Sequence, residues 1–304
     1  MFEELIQESG LSIERLRNFC QIAHAGGITR AADGNPVTQS LYSRQLKELE
    51  EYFGVELVRR KGRGIVLTSA GEKLNALACE SLGMLRDFRN GCKGQAQELS
   101  IAAGESLIRW LLIPSLSRFK KNIFNTVFRF HNYETARIAD CVAGGVVDFG
   151  LIRSDALPPS CKSVALGTMK HSLFIPKRMF HTSKDKKAVS IQVLDGLPLA
   201  TLDGEGAFKT ALVNAFKEQM LSLKIEIECS SFPLIAEVVS TGNAAAILPS
   251  IASTEVCSDQ VSEIQLAFLD RFDRKILLAW NERVVRIRPI MAKAKRVLNQ
   301  ELKF

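Results

Sequence analysis

Gln39, Ser40, Ser43, Arg44 and Lys47 recur at spacings that put them on one side of a helix, and Arg59, Arg60, Lys61 and Arg63 crowd around Gly62 with no acid among them. Amide and guanidinium forks match the donor and acceptor pattern of base edges, while hydroxyl and ammonium groups suit phosphate oxygens. That is the chemistry of reading a duplex, not of turning over a substrate. The chain has no GxSxG elbow and no phosphate-cradling glycine loop, so neither a catalytic set nor a cofactor is expected. The four histidines (His24, His131, His171, His181) stand far apart and the seven cysteines lack CxxC spacing, so no metal set is expected either.

A polar face of this kind needs a scaffold to present it. Ser12 can cap a helix whose Ile13, Leu16, Phe19, Cys20 and Ala23 share one side, and Gly26-Gly27 ends it. Thr29 is expected to cap a short second helix with Arg30, Ala31 and Ala32. Asn35-Pro36 should stop that helix, because the residue before proline is pushed out of the helical region. Gly34, read as part of the second helix, would cost up to about 1 kcal/mol against alanine. Thr38 is then expected to cap a third helix that reaches Glu51 and finishes near Gly54. Its Leu41, Tyr42, Leu46 and Leu49 turn inward, leaving Gln39, Ser40, Ser43, Arg44 and Lys47 outward. Thr38 joins them as a candidate DNA contact. From Leu57 to Leu67 two short strands around a glycine turn would carry Arg59, Arg60, Lys61 and Arg63 as a basic wing, suited to a phosphate backbone or the minor groove.

These residues follow an ordered series. Phe19, Ala23, Gly27, Thr29, Ala31-Ala32, Val37, Gln39 and Ser43-Arg44-Gln45-Leu46 open it. Leu49-Glu50, Gly54-Val55, Leu57, Arg60, Arg63, Leu67-Thr68 and Ala70-Gly71 complete it. Over about sixty residues the segment resembles the DNA-binding domain of LysR-type transcriptional regulators. The resemblance implies a winged helix-turn-helix over residues 1–68. Asn35 and Tyr42 stand where that family usually has leucine, and Ser40 where it has proline or a similar residue. Residues 69–94 read as a long helix and hinge, with Leu74, Leu77, Ala78, Leu82, Leu85 and Phe88 on a stripe. The resemblance implies that this helix pairs with its twin from a second subunit. Gly91 to Gln97 is polar and loose enough for a hinge.

The remainder alternates strand and helix twice. Strands are expected at 99–103, 126–131 and 148–152, with helices at 106–120 and 135–143 between them. A second series has strands at 197–201, 225–229 and 244–248, with helices at 206–221 and 232–241, and the end (275–280, then 285–302) is expected to fold back on the first unit. The fold class is therefore α/β multidomain: winged helix-turn-helix, linker helix, then two α/β subdomains. Leu112, Pro114, Phe119, Gly145-Val146-Val147-Asp148, Leu151-Ile152, Gly242 and Ile247-Leu248-Pro249 resemble the periplasmic-binding-protein-like effector domain of the same family. Subdomain I is expected over 95–165 plus 265–304, and subdomain II over 166–264.

Ligands of such sheets sit beyond the carboxyl ends of the strands, near helix amino termini. Those positions hold Glu105, Ser106 and Leu107, then Asn132 and Thr135, then Thr201 and, opening a later helix, Phe232. Ser106, Thr135 and Thr201 also have the simpler reading of helix caps. Glu105, Asp203 and Glu205 speak against a dianionic effector and for a cationic or neutral one. Cys20, Cys79, Cys141 and Cys229 fall at core positions, as do Trp110 and Trp280, whereas Cys161 follows Pro158-Pro159 and is the least core-like cysteine.

The gross balance is that of a globular chain, with 46% hydrophobic and 24% charged residues and a net charge of +7. The excess is badly placed for a global argument. Residues 1–93 carry 13 basic and 12 acidic side chains, while 271–304 carry 10 and 3. Local pattern, not total charge, carries the DNA reading. No apolar run spans a membrane, and Met1 to Gly10 has no basic residue, so a cytoplasmic location without a signal peptide is expected. The expected partners are double-stranded DNA, a homodimer or homotetramer, and a small-molecule effector, with no membrane. Two alternatives stay open. The second half could serve oligomerisation only, or it could be an enzyme or solute-binding domain fused to a helix-turn-helix.

Overall fold

The computed structural model describes residues 10–62, 64–179 and 191–304, so Arg63 and His181 lie outside the described residues. The amino-terminal unit comprises α1 (Ile13–Ala25), α2 (Ile28–Ala31), α3 (Pro36–Phe53) and the antiparallel pair β1 (Val58–Lys61) and β2 (Gly64–Leu67). Phe19, Ile22, Tyr42, Leu46, Leu49 and Leu57 form its core. Ser12 caps α1 by accepting from the Arg15 amide, and Gly26 ends it in the left-handed region at φ 65°.

The next two starts differ from expectation. Gly27, not Thr29, precedes α2. Asn35, not Thr38, caps α3, its side chain accepting from the Val37 and Thr38 amides at 3.0 and 3.2 Å. Pro36 fits the first helical position because its missing N–H would have had no partner there. The Asn-Pro pair that stops one helix thus also starts the next. Gly34 lies outside both helices at φ 76°, where glycine is the least strained residue.

Thr68 caps α4 (Ser69–Cys92), accepting from Gly71 N and donating to the Glu56 carbonyl. A Cβ on Gly71 would lie 2.0 Å from the Leu57 carbonyl oxygen, so only glycine lets α4 press on the backbone that leads into β1. One face of α4 buries Asn75, Ala78 and Asp87 within its own chain. The other leaves Leu77, Met84, Leu85 and Phe88 exposed, the last by 73%.

The first sheet runs β4-β3-β5-β12-β6: β3 (Gln97–Ala103) lies parallel to β4 (Thr126–Asn132) and β5 (Phe149–Arg153), and β12 (Arg274–Trp280) lies antiparallel between β5 and β6 (Lys162–Met169). In the second unit β7 (His171–Pro176) pairs with β10 (Ala246–Pro249) and β11 (Val261–Ile264). A bridge between Leu199 and Ala245 joins these to the parallel pair β8 (Pro198–Leu202) and β9 (Lys224–Cys229). Flanking helices are α7 (Thr135–Ala143) in the first unit, and α8 (Ala207–Glu218), α9 (Phe232–Ser240) and α10 (Ser253–Val256) in the second. The chain crosses between units at Lys170 and near Asp273, so β6, which a division at 165/166 would split, belongs wholly to the first sheet.

Two expected helices are interrupted at proline. The 106–120 segment is α5 (Glu105–Leu107), a wide π turn over Ile108–Leu112, and α6 (Ile113–Asn122). Pro114 has no amide to return to an earlier carbonyl, and the wider turn absorbs that loss. The last helix splits into α11 (Glu282–Ile287) and α12 (Pro289–Glu301), with Arg288 held extended at ψ 105° before Pro289. This break aims Arg288 inward at 3% exposure. Its guanidinium pairs with Asp87 of α4 and Asp148 at the start of β5, and donates to the Glu98 carbonyl at 2.8 Å. Ser100 also donates to Asp148, through both its amide and its hydroxyl. The junction read as a loose hinge is therefore pinned by buried charge. Cys161 is likewise buried, at 7% exposure, beside Cys141 in the cluster under α7.

Candidate nucleic-acid interface and ligand cleft

On α3 the inward row is fixed by packing and by specific polar contacts. Tyr42 donates to Gln21 at 2.7 Å, and buried Gln45 accepts from Asn18. Glu50 accepts from the Leu57 and Val58 amides at the root of the wing, tying the helix to the hairpin. Rotation of α3 is thereby settled, and it leaves Ser40, Ser43, Arg44 and Lys47 exposed with half-buried Gln39 beside them. These five and Ile28 line one shallow groove. Arg44 and Lys47 reach Glu48 and Glu51 at 3.7 and 3.4 Å while keeping 70% and 77% of their side chains exposed. Such i,i+4 pairs contribute about 0.3–0.5 kcal/mol, little enough for a phosphate to displace. Thr38 is half-buried in the first turn of α3. Arg59, Arg60 and Lys61 stand exposed on β1, their wing partner Arg63 being the one outside the described residues.

The ligand candidates divide. Exposed Glu105 and half-buried Ser106 open α5 at the end of β3, next to the end of β4 with Asn132 and Thr135. Leu107 is a core residue of the first sheet. Thr201 is 2% exposed at the end of β8, and half-buried Phe232 starts α9. None of Ser106, Thr135 or Thr201 serves as a cap, since α5, α7 and α8 begin after Gly104, Glu134 and Gly206.

His171, which sequence alone left as an isolated histidine, sits at the first crossing and joins this group. Its ring stacks on Phe208 at 5.8 Å and lies near Phe232 and Phe272, and its amide donates to Asp273. Burial and the neighbouring Arg274 charge lower its pKa to about 4, so the imidazole is neutral at pH 7. His171 Nδ1, Thr201 Oγ1 and Ser231 Oγ, all in the second unit, are buried without hydrogen-bond partners among the described residues. Across from them α5 packs on α9, and Trp110 enters the second unit's core. Arg109 and Trp110 both donate to Glu255, and Arg109 holds that carboxyl below its ordinary range. This bridge between units carries no local sequence signal. Among the described residues no cluster of metal-ligating side chains occurs, and no helix is long and apolar enough to cross a membrane.

Residues 13–72 match the bacterial regulatory helix-turn-helix protein, lysR family, and residues 93–294 match the LysR substrate binding domain. A probable RuBisCO transcriptional regulator of Trichormus variabilis is 27% identical over 254 residues, covering 79% of this chain and 74% of its own. A probable nitrogen assimilation transcriptional activator of Synechococcus elongatus is 25% identical over 285 residues, 92% of either chain. Among solved structures, full-length CbnR complexed with its target DNA is 20% identical with a TM-score of 0.52, covering 96% of this chain and all of that one. With an outward polar row on α3, two α/β units behind it, and both halves matched, the chain belongs to the LysR family and is a DNA-binding transcription regulator of LysR type.

Proposed function

We propose that this regulator reads double-stranded DNA with Thr38, Gln39, Ser40, Ser43, Arg44 and Lys47 of α3 and with the wing residues Arg59, Arg60, Lys61 and Arg63, and that a small molecule bound between the α/β units governs it. The observation that carries the DNA assignment is the outward row of α3, whose opposite face is fully committed to the core. The effector assignment rests on three buried polar atoms without partners among the described residues, with the His171 ring near Phe232 and α5 packed on α9. A buried polar group left unpaired costs about 1–3 kcal/mol, a penalty a ligand can remove. Neutral His171 and its phenylalanine neighbours suit an uncharged or aromatic group there, with Glu105, Ser106, Asn132, Thr135, Thr201 and Phe232 around it. The natural division is a reader over 1–68, a linker over 69–94, and two α/β units exchanging chain near 170 and 273. The protein acts in the cytoplasm, where its DNA is, and as a regulator rather than an enzyme.

The exposed Leu77, Met84, Leu85 and Phe88 stripe supports pairing of α4 with its twin in a homodimer or homotetramer. Leu77→Asp with Leu85→Asp should halve the mass measured by sedimentation, because the seam would bury charge. An unchanged mass would remove α4 from the interface. A thermal-shift screen of the wild-type chain and Thr201→Val against a metabolite panel tests the effector. The expected result is a compound that stabilises the wild type and loses its effect in the variant. Equal shifts in both would move the ligand elsewhere.

A further inference from the structure

A second concavity, besides the α3 groove, lies apart from the proposed effector site. It has a volume of about 1060 Å³ and is walled by the amino-terminal unit, α4 and the first α/β unit. Its floor is apolar, with Ala23, Ile65, Ala76, Cys141 and Val146. Around it stand Arg30 of α2, Lys73 of α4, Arg137 of α7, Lys162 of β6, and Arg283 and Arg286 of α11. Three acids (Glu72, Asp140, Glu282) share the lining, so cations outnumber them two to one. None of these six cations forms an ion pair with a carboxylate among the described residues. Arg137 lies over the Tyr133 ring and against His24 and donates a hydrogen bond to the Cys141 thiol, and Glu282 is occupied by Trp280. The field on His24 has the same sign. Burial and the Arg137 and His131 charges all push its pKa down.

Six cations from five elements converge on one concavity without forming an ion pair to a carboxylate among the described residues. Like charges held together repel, and a multivalent anion relieves that repulsion while contacting several arms at once. The volume is that of a small-molecule site rather than a duplex groove. The α3 row opens into a different groove, lined by Ile28 and the five outward α3 side chains. We propose that this junction is a binding site for a small organic polyanion, with two or more charges on a flat apolar body of nucleotide size. The apolar body would rest on the Ala23–Ala76–Cys141 floor and the charges on the surrounding cations. Arg30 and Lys73 belong to the reader and its helix, whereas Lys162, Arg283 and Arg286 belong to the α/β unit, so a bound ligand ties the two halves together. The site is separate from the His171 cleft and does not depend on that assignment.

The test uses the full chain without DNA or divalent metal, and calorimetric titration with ATP, pyrophosphate and adenosine. ATP is expected to bind at least about tenfold more tightly than pyrophosphate, adenosine to give no heat, and ATP binding to weaken with salt. Arg283→Glu with Arg286→Glu should weaken ATP about tenfold or more without lowering the melting temperature. Lys121→Glu on α6, Lys61→Glu on the wing and Thr201→Val in the cleft should leave it unchanged. No ATP binding, or binding that Arg283→Glu with Arg286→Glu leaves intact, overturns the proposal. Loss in Lys61→Glu would assign the anion to the DNA face, and loss in Thr201→Val to the cleft, and either overturns it as well.

Discussion

The amino-terminal reader and the second α/β unit treat their buried polar groups in opposite ways. In the reader, Asn18 meets Gln45, Glu50 meets two wing amides, and Thr68 both accepts and donates at the start of α4. In the second unit His171, Thr201 and Ser231 bury polar atoms that find no hydrogen-bond partner among the described residues. A fully paired polar network makes one conformation much better than its neighbours, which suits a surface that must hold one shape against DNA. An unpaired one stores a penalty that a ligand can relieve. On the proposed function, the reader is finished on folding and the second unit is completed by its ligand.

The sharpest challenge to that contrast lies at the joint between the halves. Arg288→Ala should cost about 3–5 kcal/mol in urea unfolding, because it leaves Asp87 and Asp148 buried without their cation. A loss under about 1 kcal/mol would mean that the two aspartates are solvated and that the joint is loose after all.

A second effect, on the order of 3 kcal/mol, is expected from His171 as pH falls. Its folded pKa of about 4 lies below the ordinary value of 6.5, so between those pH values the unfolded chain binds a proton that the folded chain refuses. Stability from this residue is therefore complete above pH 6.5 and is lost progressively towards pH 4. His171→Phe should flatten that part of the unfolding profile. An unchanged profile would place the histidine in water and weaken the case for a completed cleft. An effector that accepts nothing from Nδ1 but donates to it should bind equally at pH 7 and pH 5, and weaken only as pH falls towards 4.

Much of the reader was legible because its signals are local. Ser12, Gly26, Gly54 and the α3 periodicity each act within a few residues, and the structure honours them. Where that reading slipped, the cause was again local. Asn35-Pro36 serves as stop and start at once, which shifted the cap away from Thr38. The α/β half was legible only as alternation. Strand β7 is buried throughout and β6 shows no regular alternation of buried and exposed residues, so neither carries a period, and both went unseen. His171, Glu255 and Arg288 depend on chain crossings dozens of residues apart, and no spacing rule reaches that far. Leu107 looked like a ligand contact from its place after β3 alone, while its side chain belongs to the core.

The smallest expected effect concerns the wing. Arg60→Ala should flatten the slope of log K against log salt by about 0.9, the release expected from one phosphate contact. Specific and scrambled duplexes should be weakened alike. An unchanged slope would leave α3 to act alone.

Selection of genomic fragments by the full-length chain, followed by anisotropy on the recovered site, tests the central claim that α3 reads sequence. The account predicts a recovered site with two related half-sites, as a dimer requires, and a loss of about 1–3 kcal/mol on that site in Gln39→Ala with little change on scrambled DNA. Equal weakening on both duplexes, or recovery of no sequence above the genomic background, would contradict it.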